Sequence, residues 1–299
     1  MNGDGSKGKN RNDGGDGAKV LLVTGTTSGM GRVIALDAAS AGYQVVATGR
    51  DPERMARLAE DASARGGALD IRHLDITDHV GVGALVREVA EEYGRIDAVV
   101  SQAGGIFALG TAEQIPMDGF RYVFERNFFG NLAVIKAVLP HLRASRGRLI
   151  VTTSANGLVG APFNDAYASS KFALEGAVES LAPAVARHGV RTTIVEPGPV
   201  ATDVMAPRRF DRLVPTEHVD GDPYPEPWEL LSRIIAATGA VQPVEEIGPQ
   251  ILDLLTQDDP PLRFQTAPWA TDFVAPKMSA DLDGRKVGAA NEAYLALAD

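Results

Sequence analysis

Cysteine is missing from all 299 residues. Its absence excludes disulfides, iron–sulfur clusters, thiolate zinc sites and a cysteine nucleophile together, and it suits a reducing cytoplasm, the compartment expected for this chain. Histidine is scarce: the five are His73, His79, His141, His188 and His218, and no two are spaced i, i+4 as in a metalloprotease helix, so no metal centre is expected. Basic residues are in deficit, with 29 Lys and Arg against 39 Asp and Glu and a formal net charge of -10. A nucleic-acid face and a polybasic membrane anchor are both poorly served by that balance. Long apolar runs are also wanting, so no membrane span is expected. Residues 1–18 contain no apolar segment but six glycines with three acidic and three basic residues, the composition of a flexible tail rather than of a signal peptide.

What the chain does have is the 44% hydrophobic and 23% charged make-up of a packed protein. From Lys19 onward, short apolar runs alternate with segments of helical period. Strands are expected at 20–24, 44–48, 69–74, 98–101, 148–153, 192–195 and 262–266, most of them continuously apolar, as strands buried on both faces of a parallel sheet are. Helices are expected at 32–41, 52–64, 79–93, 117–142, 166–187 and 244–255. This alternation predicts an α/β fold, a doubly wound parallel sheet in one domain over 19–299. Residues 203–243 break the pattern. They mix prolines and charges with Met205, Phe210, Leu213, Val214, Tyr224, Trp228, Leu230 and Leu231, more large apolar groups than a mere connection needs, and a substrate lid is expected there.

The first strand runs directly into Thr24-Gly25-Thr26-Thr27-Ser28-Gly29-Met30-Gly31 and then a helix. Gly25 permits the tight turn, Gly29 lets the backbone approach a diphosphate, Gly31 allows close helix–strand packing, and the helix N-terminus adds free N–H groups. With Thr27, Ser28 and Met30 between them, these residues form the expected dinucleotide cradle. The second strand ends Thr48-Gly49-Arg50. An acidic residue at position 49 would bind the ribose hydroxyls of NAD, whereas glycine there with arginine beside it favours the 2′-phosphate of NADP(H). Asp75 and Ile76 close the third strand, where a carboxylate can accept from an adenine amino group or Asp75 or Asp78 can cap a helix. Gln102, Ala103 and Gly104 follow the fourth strand at the cofactor's edge.

Tyr167 and Lys171 are four apart and share a helix face. A free phenol titrates near 10, and a neighbouring ammonium lowers that value and makes tyrosine a usable acid or base. Ser154 stands thirteen residues before Tyr167, at the end of an apolar strand that points into the same crevice.

Over residues 19–200 the chain resembles the short-chain dehydrogenase/reductase family, with its Rossmann-type sheet. The likeness rests on Gly25, Gly29 and Gly31, on Asn127 in Asn127-Phe128-Phe129-Gly130, on Ser154, on Tyr167-Ala168-Ser169-Ser170-Lys171, and on Pro197-Gly198-Pro199-Val200 with Thr202. The resemblance implies Tyr167 as acid/base, Ser154 as the group polarising a carbonyl oxygen, and Lys171 as a ribose anchor that lowers the tyrosine pKa. It implies that Asn127 supports a proton-conducting water, and that Pro197, Gly198, Val200 and Thr202 shape the nicotinamide pocket. Phe163-Asn164-Asp165-Ala166-Tyr167, Lys171-Phe172-Ala173-Leu174-Glu175-Gly176 and Pro260-Pro261-Leu262-Arg263 look like the estradiol 17β-dehydrogenase and retinol dehydrogenase subgroup. One departure is Ser101-Gln102-Ala103-Gly104, where the family has Asn-Asn-Ala-Gly.

The expected activity is therefore NADP(H)-dependent interconversion of a secondary alcohol and a ketone on a bulky hydrophobic substrate, with Ser154, Leu158, Phe163 and Tyr167 facing it. A nucleotide-sensing protein without turnover, and an epimerase or dehydratase that retains its cofactor, remain open alternatives. The resemblance also implies a homodimer or homotetramer through helices 117–142 and 166–187.

Overall fold

The computed structural model describes residues 17–202, 214, 241–279, 283 and 285. Of the expected tail only Gly17 and Ala18 fall among these, both exposed; of the expected lid only Val214 and residues 241–243 do, and the rest of both lies outside the described residues.

Seven strands, β1 (Val20–Thr24), β2 (Gln44–Gly49), β3 (Leu69–His73), β4 (Ala98–Ser101), β5 (Arg148–Thr152), β6 (Arg191–Glu196) and β7 (Arg263–Gln265), form one parallel sheet in the order β3-β2-β1-β4-β5-β6-β7. β1 is buried along its whole length, with Leu21 and Leu22 fully covered. Its continuous apolar run has that cause, since helices cover both faces. One face packs on α3 (His79–Tyr93), α5 (Gly130–Ser145) and α6 (Asp165–Ala186) through Val86, Val138 and Leu174. The other packs on α1 (Gly29–Ser40), α2 (Pro52–Ala64) and α7 (Ile247–Thr256) through Ile34, Leu58 and Ile251. Strand order reverses between β1 and β4, and the crevice beyond their carboxyl ends is where this topology binds ligands.

Local chemistry sets the helix limits. Asp51 accepts from the Arg54 N–H at 3.1 Å and Pro52 starts α2; Asp78 accepts from the Gly81 N–H at 2.9 Å and caps α3, which stops at Gly94 with φ 72°. Asp78 is thus the cap, and Asp75 is left to the crevice. α1 begins at Gly29 rather than Arg32, so the end of the glycine turn is itself the first helical turn, whose N–H groups lack intrahelical partners. The single helix expected over 117–142 is divided: α4 (Met117–Phe124), a π turn over Glu125–Phe129, then α5 as far as Ser145. α8 (Pro268–Met278) has no counterpart in the sequence reading. Among the described residues no helix is long and apolar enough to cross a membrane, and no group of three His, Asp or Glu could hold a metal ion.

The backbone on the two sides of residues 203–240 is drawn together. Val200 and Gln242 bridge in parallel, with Ala201 N–H donating to Gln242 O at 2.8 Å and Gln242 N–H to Pro199 O at 2.9 Å. The buried Gln242 side chain then clasps Thr266, donating to its carbonyl at 2.9 Å and accepting from its hydroxyl at 2.7 Å.

Candidate active site

The crevice at the β1/β4 switch is lined by Gly25, residues 27–31, Gly49, Arg50, residues 74–76 and 102–104, Phe107, Arg126 and Thr202. Bare backbone makes it. Gly25 has φ +73°, and a Cβ there would lie 2.8 Å from Ala103 Cα; one at Gly31 would lie 2.3 Å from Gly25 O. A Cβ on Gly29 would press on Thr202 at 3.1 Å, which places the 197–202 loop as the roof over the glycine turn. Thr24 Oγ1 accepts from the Gln102 and Ala103 N–H groups at 3.0 and 3.1 Å and ties the two strand ends together. These close approaches, a helix N-terminus and the absence of side-chain bulk fit a dinucleotide diphosphate.

At the β2 end, a Cβ on Gly49 would lie 2.4 Å from Thr27 Cγ2 and 2.6 Å from Met55 Sδ. Any side chain at position 49, an acid included, would have to displace Thr27 and Met55. Arg50 is half exposed and reaches Asp75 Oδ2 at 3.3 Å. Asp75 also accepts from Thr77 N–H at 3.0 Å and its hydroxyl at 2.8 Å. Burial pushes the Asp75 pKa up, but the Thr77 donors and the Arg50 charge outweigh it, and the carboxyl titrates below its ordinary value. The Gln102 side chain, longer than the family's asparagine, reaches across to β5 and accepts from Thr152 Oγ1 at 2.6 Å.

Beyond the crevice, β5 and α6 bring Ser154, Tyr167 and Lys171 together. Ser154 follows β5 in extended backbone and opens a short 3-10 turn over Ala155–Gly157, with its hydroxyl accepting from Asn156 N–H at 3.1 Å. Ser154 also hydrogen-bonds the Tyr167 phenol; burial raises the phenol's pKa above its usual 10, and that hydrogen bond opposes the rise. The lowering expected from Lys171 is not found: the one group opposing the rise is Ser154, and Lys171 Nζ sits 5.9 Å from the Tyr167 ring centroid. The ammonium is buried and donates to Thr152 O at 3.2 Å. Burial lowers its pKa to about 8, with the Glu175 charge acting in the other direction. Asn127 sits at the centre of the π turn, fully buried, and donates to Gly105 O at 3.0 Å and Ser170 Oγ at 3.1 Å while accepting from Gly105 N–H at 3.0 Å. A π turn inside a long helix releases backbone groups from the regular ladder, and such turns gather at functional sites.

A glycine turn and a Ser-Tyr-Lys-Asn set at one switch point invite comparison with known proteins. The short chain dehydrogenase family profile matches residues 19–212. The chain belongs to the short-chain dehydrogenase family. It is 36% identical over 256 residues to human 17-beta-hydroxysteroid dehydrogenase type 1, covering 83% of this chain and 77% of that one. It is 31% identical over 272 residues to bovine retinol dehydrogenase 8, covering 88% and 86%. Of solved structures, a single-residue variant of actinorhodin polyketide ketoreductase with NADPH superposes with a TM-score of 0.70 at 26% identity, over 83% of this chain and 95% of that one. NAD+-bound xylitol dehydrogenase, at 24% identity, shares the fold with a TM-score of 0.72 over 83% and 96%.

The remaining expected residues of this short-chain dehydrogenase are placed as follows. Pro197 O accepts from Ala155 N–H at 2.9 Å and faces Ser154 Oγ at 3.4 Å, so the roof loop starts beside the serine. Gly198 lies under Trp269, whose ring carbon a Cβ would meet at 2.8 Å, and Val200 is buried in the core. Leu158 is buried against Ala270 and Val274 of α8, next to Trp269 and Phe273, which stack with centroids 5.0 Å apart. Phe163 holds a left-handed φ of 61°, rare for a large side chain, and its carbonyl accepts from Gly110 N–H at 2.8 Å. Pro197, Gly198, Val200, Leu158 and Phe163 do not line the glycine crevice, which ends at Thr202. Val214 packs with Phe107, Ala108 and Ile115, and its N–H donates to Phe107 O at 2.8 Å.

Sequence reasoning missed several supports. Asn131 accepts from Ser101 Oγ at 2.7 Å and donates to Ala103 O at 2.9 Å and Asn127 O at 3.0 Å, welding β4 to the π turn. It stands four residues after Asn127, the one sequence signal it offered. Gln242 and Trp269 offered none, because both act across long sequence separations.

Proposed function

We propose that this protein is an NADP(H)-dependent oxidoreductase that interconverts a secondary alcohol and a ketone on a bulky hydrophobic substrate. The observation that carries the reading is the placement of Ser154 and Lys171 around the Tyr167 phenol, next to a glycine crevice with Arg50 at its mouth. The crevice fits a dinucleotide, with the 25–31 turn and α1 N-terminus for the diphosphate, Arg50 for the 2′-phosphate, Asp75 and Ile76 for the adenosine end and residues 102–104 for the ribose edge; beyond its end at Thr202, the 197–202 loop is assigned to the nicotinamide. When bound, the nicotinamide supplies or accepts a hydride. In the reducing direction the Tyr167 hydroxyl donates its proton to the substrate oxygen, and the Ser154 hydroxyl holds that oxygen in place. The Lys171 ammonium stabilises the phenolate left behind, and Asn127 supports a water through which the proton is replaced.

A bulky apolar substrate is supported by the hydroxysteroid and retinol named in its relatives and by Trp269, Phe273 and Leu158 gathered beyond Ser154. Leu158 and Phe163 are its proposed wall and residues 203–243 its lid. Exposed Met117, Tyr122 and Phe129 on α4 and the π turn support self-association through α4 to α6, checked by sedimentation.

The deciding experiment is turnover of a panel of hydrophobic ketones with NADPH by wild type and Tyr167→Phe. The variant is expected to fold, bind NADPH and lose about 10²–10⁴-fold in kcat, the usual worth of a positioned acid. Near-normal turnover would overturn the reading.

A further inference from the structure

Behind the catalytic face lies a buried ionic cluster that the proposed chemistry does not use. Arg263, on the last strand, is 4% exposed and reaches Glu175 Oε2 at 3.2 Å, Glu179 Oε2 at 2.9 Å and Glu196 Oε1 at 3.7 Å. Three carboxylates thus share one guanidinium, and burying charges in this number is costly unless each has partners. Glu196 is fully buried and accepts from Gln265 Nε2 at 2.5 Å. Burial, and then the Glu175 charge beside it, push its carboxyl up to about 8, which favours the protonated form. What remains along α6 is an alternating row: Lys171, Glu175, Arg263, Glu179.

Glu175 is the member that touches the site. It stands one turn beyond Lys171 on α6, so the two share a face. Its Oε1 accepts from the Thr153 hydroxyl, the residue before Ser154. A Cβ on Gly157 would lie 2.9 Å from Glu175 Cγ, so the carboxylate lies directly under the 3-10 turn that Ser154 opens. The polar and charged groups facing Lys171 and Glu175 are Tyr167 and Glu179 on α6, Thr152 O, Thr153 and Ser154 at β5, Asn127 through Ser170 from the π turn, Glu196 on β6 and Arg263 on β7. Among them Glu175 is the carboxylate whose charge acts on Lys171.

We propose that Glu175, clamped by Arg263, is a positioning residue: its charge holds the buried Lys171 as an ammonium, and its bond to Thr153 fixes the turn that carries Ser154. The inference rests on the assignment of Tyr167 and Lys171 above. Burial pushes Glu175 up to about 7, against the pull of Arg263. The Arg263 charge and the Thr153 hydroxyl both favour the ionised glutamate, the form that acts on Lys171.

The test is the pH profile of ketone reduction together with an NMR titration of ¹³C-labelled lysine, with Lys171 assigned by the loss of its signal in Lys171→Arg. In Glu175→Gln the countercharge goes and the amide keeps the shape. The Lys171 titration and the alkaline limb of kcat should both move about one pH unit toward acid. Glu175→Asp, which keeps the charge, should restore both positions while kcat falls because Thr153 is out of reach. Arg263→Met should move both as Glu175→Gln does, because the unclamped glutamate takes up a proton, and Arg263→Lys should reverse that. A uniform loss of kcat in Glu175→Gln, with limb and lysine titration unmoved, would overturn the proposal even if Tyr167→Phe is inactive. An active Tyr167→Phe would instead overturn the assignment beneath it.

Discussion

Gly49 and Arg50 stand side by side at the end of β2, and each makes a separate statement about the cofactor. If Arg50 binds the 2′-phosphate, Arg50→Ala should raise the KM for NADPH about ten- to a hundredfold, the worth of a charge-assisted hydrogen bond at roughly 1.5–3 kcal/mol. NADH kinetics should be nearly unchanged, because the Asp75 partner of Arg50 is held in place by Thr77 as well. Equal losses with both cofactors would remove Arg50 from the phosphate site. Gly49 is the stricter position. An acid grafted there would drive its Cβ against Thr27 and Met55, and overpacking of that kind costs roughly 1–3 kcal/mol. Gly49→Asp alone should lower thermal stability and fail to confer NADH preference, whereas the same change with Met55→Ala should recover part of the stability. Kinetics with both cofactors and a melting curve separate the two cases. From sequence, the missing acid was legible; the packing around Gly49 was not, since Thr27 and Met55 meet residue 49 only once three segments are folded together.

Elements were legible in proportion to how local their causes are. β1, β4 and α2 agree with the spacing of their apolar residues, and α2 and α3 carry their own caps in Asp51 and Asp78. The π turn escaped because nothing in Glu125–Phe129 breaks the helical period, and α8 because Pro268, Pro276 and its small residues blur one apolar face. The C-terminus of α5 shows a local conflict. Arg146 ends that helix in a left-handed conformation, φ 52° and ψ 44°, where glycine is the usual residue. Its N–H already satisfies the Leu142 and Arg143 carbonyls, so the backbone alone makes the cap. Arg146→Gly should therefore stabilise the chain by about 0.5–1 kcal/mol, read from urea unfolding. A loss would mean that the Arg146 side chain, which lies against Gly189, contributes more than the strain it brings.

For the molecule as a whole, the coupled buried acids Glu196 on β6 and Glu175 on α6 set a pH dependence, with Glu196 the more strongly raised. Glu196 titrates at about 8 in the fold and near 4.3 when unfolded, so between those values the native chain binds the extra proton. Stability from this group is complete at or below the unfolded value and is lost as pH rises, until the loss is full above about 8. The melting temperature should fall from pH 5 to pH 8.5, and Glu196→Gln should flatten that fall; an unchanged slope would place the titration elsewhere. A different consequence follows from the bridge at Val200 and Gln242. Because Val200 and Gln242 are bridged directly, the two ends of the 203–240 segment are held together by the scaffold itself. Joining two fixed points through a longer chain costs little, about 0.6 kcal/mol per doubling of length, so these anchors tolerate a segment of another length between them. If this segment is the substrate lid proposed above, a chimera built at Thr202 and Val241 should inherit the donor's substrate range on this chain's cofactor site, and an unchanged range would remove the segment from the substrate site.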